Sequence, residues 1–342
     1  MRLYNLLSKE ELAARLALET EPRVTVSFYC YHPITDPDAF RDELFARFTE
    51  IGVLGRVFVA TEGINAQTSV PQSRLDDLRA CLYSYPWMDG LRLNTAADDT
   101  KTSFLKLKIK VRPKIVADGV DDTAFDVSEN GKYIDAEGFN RLTENPEAVV
   151  IDMRNHYEYE VGHFKNAVEI PSDTFREQLP MAIDMLKGKE DRPVVMYCTG
   201  GIRCEKASAY LRYKGFKEVY HLEGGIIHYV NNVRAKGLEN KFVGKNFVFD
   251  DRLGERITED VIARCHQCGG SCDTHTNCLN DGCHLLFIQC ESCAMAYNGC
   301  CSESCKTTHG LPEEIQKEMR KGIDKGQTVH GKSLKRKLPG RS

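Results

Sequence analysis

The chain has 342 residues, a formal net charge of −4 and 14 cysteines. This length predicts two or three domains, and the small net charge excludes a protein that binds polyanions over its whole surface, so any nucleic-acid surface must be local. The sequence contains no long apolar run, and its first residues, MRLYNLLSKEELAARL, lack the hydrophobic block of an export signal. We therefore expect a cytoplasmic protein with no membrane partner.

Residues 1–117 are predicted to form a first domain of the α+β class. Its strand patterns lie at 24–31, 55–60, 62–70 and 103–111, and its helical patterns lie at 37–50 and 72–84. The resulting βαββαβ order is typical of a ferredoxin-like or acylphosphatase-like fold.

The last strand of this domain concentrates positive charge on one face. Apolar residues at 105, 107, 109 and 111 alternate with four cations, Lys106, Lys108, Lys110 and Arg112, and a fifth, Lys114, follows. Alternation with a period of two predicts one buried face and one basic face. The cations could protect an edge strand from aggregation or could bind a phosphate backbone, and the residues alone leave both open.

Residues 118–243 are predicted to form a second domain, in which helices separate successive strands. The strand patterns are VVIDMR at 149–154, VVMYC at 194–198 and EVYHLEGGI at 218–226, and HFKNAVEIP at 163–171 is predicted to be a loop and a short strand. This alternation indicates a parallel α/β sheet, whose site lies at the carboxyl ends of its strands. Cys198 lies at such an end.

The segment 194–204, VVMYCTGGIRC, is the strongest candidate for a catalytic loop. It places Cys198 near a helix N-terminus and near four backbone amides, those of Thr199, Gly200, Gly201 and Ile202. Together with Arg203, these groups should lower the pKa of the thiol and stabilise a thiolate, an oxyanion or a persulfide. A buried structural cysteine is the alternative, but the Gly-Gly-x-Arg sequence favours a reactive one. Cys204 could be a resolving thiol, although packing under the helix is favoured.

Residues 244–310 are predicted to form a Cys-rich, zinc-binding C-terminal module. Ten of the cysteines lie between Cys265 and Cys305, and such clustering without an export signal favours metal ligation over disulfides. Two CxxC pairs predict a structural zinc site with four thiolate ligands: Cys265, Cys268, Cys290 and Cys293. Six further cysteines are enough for a second ion: Cys272, Cys278, Cys283, Cys300, Cys301 and Cys305. An iron–sulfur cluster is the alternative to zinc. Residues 311–342 are expected to be a basic, disordered tail.

Several motifs of the second domain together resemble a rhodanese domain. They are Asp152-x-Arg154, His163-Phe164, the loop 198–203 and Leu222-x-Gly224-Gly225. This resemblance implies that Cys198 carries a persulfide, and that Asp152 and Arg154 brace the domain rather than react.

A wider set of motifs resembles the bacterial rhodanese-containing tRNA uridine hydroxylases. The motifs are EGINAQ at 62–67, CTGGIRCEKA at 198–207, EGGIIHY at 223–229, GKNFVFDDRLGERI at 244–257 and the Cys-rich run at 265–293. The resemblance implies an oxidoreductase that hydroxylates carbon 5 of the wobble uridine of tRNA, with Cys198 as its active-site residue, molecular oxygen as co-substrate and the tRNA anticodon stem-loop as partner. It also favours RNA binding by the basic strand.

The chemistry of a thiolate suggests a first step, attack of the Cys198 sulfur on carbon 6 of uridine, which would make carbon 5 electron-rich. The sequence contains no flavin or nicotinamide motif. Two other functions stay open on the residues alone: a persulfide sulfurtransferase, which the rhodanese loop by itself would suggest, and a non-catalytic RNA-binding protein.

Overall fold

A computed structural model describes residues 7–98, 101–120 and 125–321 of the chain. The first part of the molecule is an α+β unit with a five-stranded sheet in the order β4-β1-β3-β2-β5. Its elements are α1 (Lys9–Ala17), β1 (Arg23–Tyr31), α2 (Pro37–Ile51), β2 (Leu54–Ala60), β3 (Gly63–Pro71), α3 (Leu75–Tyr83), β4 (Asn94–Thr95) and β5 (Leu107–Val111). The predicted βαββαβ order is confirmed, with α1 before it and the short strand β4 ahead of β5.

The two faces of this sheet have different surroundings. One face packs against α2 and α3 through a core that includes Phe28, Val57 and Leu82. Alternate residues of the strands point to the opposite face. This opposite face is turned toward the second and third parts of the molecule.

Strand β5 begins at Leu107, four residues later than the strand pattern predicted. The residues before it are used elsewhere: Phe104 is buried, and the Ser103 hydroxyl lies 2.8 Å from the Thr25 hydroxyl. The carbonyl of Ser103 accepts a hydrogen bond from the amide of Asp251 at 3.0 Å. These contacts take the place of strand pairing.

The second part is an α/β unit around a parallel five-stranded sheet in the order β6-β11-β10-β7-β9. Its elements are β6 (Lys132–Ile134), α4 (Ala136–Thr143), β7 (Val149–Asp152), α5 (His156–Tyr159), β8 (Gly162–Phe164), β9 (Val168–Glu169), α6 (Phe175–Leu186), β10 (Val194–Tyr197), α7 (Ile202–Tyr213), β11 (Val219–Leu222) and α8 (Gly225–Lys236). Strand β10 is central and fully buried, since α6 and α7 cover Met196 on one face while α4 and α8 cover Val195 on the other. Its carboxyl end delivers Cys198.

The third part is small and is tied to the second by a strand pair. Its elements are β12 (Phe242–Asn246), β13 (Glu255–Arg256), β14 (His275–Asn277), β15 (Leu286–Ile288), α9 (Glu291–Ala296), α10 (Glu303–His309) and α11 (Glu313–Arg320). Strand β12 pairs with β8 of the second part and with β13. In the described ranges, no helix is long and apolar enough to cross a membrane.

The prediction of disorder from residue 311 onward was wrong for Glu313–Arg320, which is helix α11. Acidic residues in its first turn and basic residues in its last turn suit the helix dipole, and Arg320 pairs with Asp281 at 2.9 Å. The basic segment KSLKRKLPGR lies outside the described residues.

The first two parts meet at the start of α7, directly after the Cys198 loop. Tyr31 of β1 donates to the carbonyl of Ile202 at 3.2 Å, and Tyr29 donates to Glu205 at 2.8 Å. The buried Lys206 pairs with Glu62 at 2.7 Å, which fastens α7 to the first sheet. The loop is therefore bounded by two domains.

Candidate active site and metal centres

The loop after β10 is shaped by glycines and braced by the next helix. Gly201 has a φ of 104°, and a Cβ there would lie 2.9 Å from the Tyr29 hydroxyl, so a side chain at this position is strained and crowded. The first amides of α8 take up the carbonyls of the loop: Ile226 donates to Cys198 at 3.0 Å and Ile227 to Thr199 at 3.2 Å. These hydrogen bonds fix the backbone that carries the Cys198 thiol.

Cys198 is only 1% exposed, yet its surroundings favour the thiolate. Burial alone would raise the pKa of the thiol, but the Cys204 side chain and the Arg203 charge outweigh it, aided by the amides of Cys204 and Gly201, and lower the pKa to about 6. The Gly201 amide lies 3.2 Å from Sγ. A thiol with this pKa is mostly ionised at neutral pH.

The other predicted loop residues line the cavity or form hydrogen bonds with nearby residues. Gly200 lines a cavity beside the thiol, the Thr199 hydroxyl donates to Glu158, and the Ile202 carbonyl accepts from Tyr31. Cys204 is fully buried, and burial together with the neighbouring Cys198 raises its pKa well above the ordinary value. Cys204 therefore packs in the core under the helix, and its side chain helps to lower the pKa of Cys198.

Arg203 is held by a buried carboxylate that sequence reasoning missed. Glu158 accepts both terminal nitrogens of Arg203, at 2.7 and 2.8 Å. Burial opposes ionisation of Glu158, but the charge of Arg203 and its hydrogen bonds keep the carboxyl pKa below its usual range. The available signal was the capping box between Asn155 and Glu158, which places this acid at the start of a helical turn.

Asp152 and Arg154 form a separate, fully buried pair. Arg154 Nη2 lies 2.6 Å from Asp152 Oδ2 and 2.6 Å from the carbonyl of Gly162. The pair joins the end of β7 to β8 and braces the domain.

A cavity of about 920 Å³ joins Cys198 to the basic face of the first sheet. Its lining includes three of the four predicted RNA-binding cations, Lys108, Lys110 and Arg112. Lys106 is exposed just before β5. Burial lowers the pKa of Lys110, and so do the neighbouring cations, which is the signature of concentrated positive charge.

The fifth cation of that run, Lys114, is engaged within the protein. It pairs with Asp118 at 2.7 Å.

Three further residues of the cavity carry no assignment from the sequence. Arg56 stands beside Lys108 in the β2–β5 pairing and donates to the carbonyl of Phe249 at 3.3 Å. The Phe249 ring centroid lies 5.7 Å from the guanidinium carbon of Arg203. Glu255 is fully buried, and burial raises its pKa to about 7 despite a 2.8 Å contact with Arg252. The period-two pattern of β2 could have revealed Arg56, whereas Phe249 and Glu255 lie in a motif without a periodic signal.

The cysteines of the third part form two groups, each with four sulfur atoms within 4.8 Å of one another. The first group is the predicted set of two CxxC pairs, Cys265, Cys268, Cys290 and Cys293. The second group is drawn from the six further candidates and consists of Cys278, Cys283, Cys301 and Cys305.

The spacing of the sulfur atoms suits a tetrahedral ion. Zinc–sulfur bonds of about 2.3 Å place neighbouring sulfurs about 3.8 Å apart. The structure has 3.6 Å between Cys268 and Cys290 and 3.7 Å between Cys301 and Cys305. Both groups therefore fit zinc.

The remaining two candidates lie outside both groups. Cys272 packs beside the small core around Phe247, and its sulfur accepts from the Thr274 amide at 3.4 Å. Cys300 is fully buried in the core around Phe287.

Comparison with known families assigns all three parts of the chain. The matching family models are described as UPF0176 acylphosphatase like domain, residues 23–115, Rhodanese-like domain, residues 135–232, and Rhodanase C-terminal, residues 243–306. With Cys198 in its loop, these matches define a rhodanese-domain protein that carries an additional N-terminal domain.

Curated relatives extend the match to almost the entire chain. The tRNA uridine(34) hydroxylase of Cronobacter sakazakii is 58% identical over 332 residues, which cover 97% of this chain and 95% of that protein. The proteins of the same name from Pectobacterium carotovorum and Yersinia pestis are 58% and 57% identical, and each match covers 97% of this chain and 94% of the relative. The chain belongs to the tRNA uridine(34) hydroxylase family.

Proposed function

We propose that this protein hydroxylates carbon 5 of uridine 34 in tRNA, with Cys198 as its reactive group. The observation that supports this function best is the shared cavity, which a depressed-pKa thiol and the cations Lys108, Lys110 and Arg112 line together. The names of the relatives support the same reaction.

The cavity suits a nucleotide taken out of its stack. Its volume of about 920 Å³ falls within the range of about 300–1,000 Å³ that small-molecule sites occupy. Cations on β5 would position the phosphates of the anticodon stem-loop, while an unpaired wobble base enters toward the sulfur. Removing a loop base from its stack costs less than removing one from a duplex.

The thiolate would begin the reaction by adding to carbon 6 of uridine. The sulfur–carbon bond forms as the electron pair of the 5,6 double bond moves onto carbon 5 and oxygen 4. Carbon 5, now electron-rich, is the atom that acquires the hydroxyl oxygen. Loss of the carbon 5 proton and departure of the thiolate restore the double bond.

Nucleoside mass spectrometry tests the proposal. In tRNA from cells that lack the gene and carry the variant in its place, Cys198→Ser should abolish 5-hydroxyuridine. Cys30→Ser is the matched control, because burial raises the pKa of Cys30 to about 11 and leaves it unreactive at neutral pH. Hydroxylation that persists in Cys198→Ser would refute the proposal. Loss of thiolated nucleosides instead would identify a sulfurtransferase, and no change would leave an RNA-binding protein.

Charge reversal tests the RNA-binding face. A quadruple variant should weaken tRNA binding and flatten its dependence on salt, by about 0.7–0.9 logarithmic units of slope per lost phosphate contact. Its substitutions are Lys106→Glu, Lys108→Glu, Lys110→Glu and Arg112→Glu. Arg79→Glu is the control, because this exposed cation lies on α3, which covers the other face of the sheet. Equal binding by the quadruple variant and the control would exclude this surface.

Both cysteine groups are proposed to hold structural zinc. The purified protein should be colourless and should contain two zinc ions per chain by metal analysis. Brown protein that contains iron would identify a cluster instead.

We propose that the protein acts in the cytoplasm and that its domain boundaries lie near residues 117 and 243. Family matches at 23–115, 135–232 and 243–306 support these boundaries.

A further inference from the structure

Helix α5 lies between the Cys198 loop and the first cysteine group. It is a single turn, His156–Tyr159, and two acids near its end contact the loop and the cysteine group. Glu158 binds Arg203 of the loop, whereas Glu160 binds His266, which lies within the Cys265-x2-Cys268 pair. The two acids are two residues apart in the chain, so a displacement of one end of α5 moves the other.

The contact between α5 and the metal module is well defined. His266 Nε2 lies 2.8 Å from Glu160 Oε1. The amide of Ile288 lies 3.4 Å from His266 Nδ1, which therefore accepts and leaves Nε2 to donate. His266 is largely buried, with 9% of its side chain exposed.

Apolar packing supports the same contact. Tyr157 of α5 meets the ring of Phe247 at 5.2 Å. Both belong to a core cluster that also contains Ala263, Leu286 and Ile288 from the metal module. The module thus packs against α5 through a small core as well as through one polar bond.

We propose that the first cysteine group acts as a remote positioning element for the active site, through His266, Glu160, Glu158 and Arg203. Cys265 and Cys268 would hold two sides of a metal ion, and this would fix the short turn that carries His266. This inference rests on Cys198 being the reactive residue of the proposed function. It assigns the metal a role in reactivity without placing it in contact with substrate.

The charged and titratable groups that face Cys198 come from two domains. Arg203 and Cys204 follow it in the chain, Tyr29 and Tyr31 face it from β1, and the cations Lys108, Lys110 and Arg112 line the same cavity. Among these cations, Arg203 is a principal cause of the lowered pKa of the thiol. Because its guanidinium is held by Glu158, a shift of α5 changes the distance between that charge and the sulfur, which in turn changes the fraction of thiolate.

The test is the pH profile of Cys198 alkylation in the full-length, metal-loaded chain. Iodoacetamide labelling is followed at the Cys198 peptide by mass spectrometry, so that the other cysteines do not interfere. His266→Ala and Glu160→Ala each cut the link and keep all eight ligand cysteines. His309→Ala is the control, since it removes a histidine of the same module away from α5. Metal content is measured for every variant.

With zinc retained, His266→Ala and Glu160→Ala should raise the midpoint of the profile by about one pH unit, which is about a tenfold loss of labelling on the acidic limb. His309→Ala should keep the midpoint of the unaltered protein. Unchanged midpoints in both link variants would overturn the inference, as would an equal shift in His309→Ala. A protein that shows the shift but hydroxylates no tRNA would refute the proposed function and leave the positioning role intact.

Discussion

Replacing Arg203 by methionine should destabilise the protein strongly, because it strands a buried carboxylate. Glu158 has no exposed surface, and the substitution removes both of its guanidinium contacts. Breaking one partner of a buried pair costs about 3–5 kcal/mol. Glu158 keeps hydrogen bonds from the Thr199 hydroxyl at 3.2 Å and the Asn155 amide at 3.0 Å, so the lower end of that range is expected.

The loss should depend on pH with a definite sign. In the unaltered protein the pKa of Glu158 is held below its usual range, so the stabilisation is present above the ordinary glutamate pKa and is lost as pH falls through the folded pKa. In Arg203→Met, burial should raise that pKa, because the main opposing charge is gone and only the influence of Arg154 is left. The penalty should then grow as pH rises, being smaller near about pH 5 than near about pH 8.

Thermal unfolding of the full chain measures the effect. At about 1–2 °C per kcal/mol for a chain of 342 residues, a loss of about 3 kcal/mol lowers the Tm by about 3–6 °C at neutral pH. The double variant Glu158→Gln/Arg203→Met removes both charges and should recover most of this loss. A small, pH-independent change in the single variant, or a double variant as unstable as the single one, would refute this account of the pair.

Three further results are expected. Gly201→Ala should slow Cys198 alkylation and lower the Tm, because φ is 104° at this position and the added Cβ would meet the Tyr29 hydroxyl. An alkylation rate and a Tm equal to those of the unaltered protein would show that the loop relaxes freely. Glu255→Gln should gain stability relative to the unaltered protein as pH rises toward about 7, because the raised carboxyl pKa gives stability that is lost over that range; equal Tm differences at both ends would contradict this. Chelation of zinc should increase amide exchange in residues 265–309 and leave β10 protected; exchange unchanged by chelation would exclude structural metal.

Much of this architecture could be predicted because its signals are local. Period-two alternation located β5, the strand–turn–helix pattern located the Cys198 loop, and paired CxxC spacing identified the first cysteine group. Each of these patterns lies within a few residues along the chain. The early start predicted for β5 failed because Ser103 bonds across the fold to Thr25, a contact that alternation does not encode.

The remaining parts of the site depend on partners distant in sequence. Glu158 meets Arg203 across 45 residues, and Arg56 meets Phe249 across 193. Helix α11 was missed because its charges resemble those of a solvated tail, whereas the pairing of Arg320 with Asp281 anchors it. The second cysteine group combines residues 278, 283, 301 and 305, whose irregular spacing allows many sets of ligands.

The cavity beside Cys198 has walls from three parts of the chain, and this limits how an activity that depends on it could be inherited or engineered. A rhodanese unit cut out on its own would keep the sulfur but lose the cationic wall and Phe249. Joining the N-terminal sheet to another rhodanese domain would not rebuild the cavity unless the contacts of Tyr29, Tyr31 and Lys206 between the two domains were also kept. Selection must therefore act on the three segments as one inherited unit.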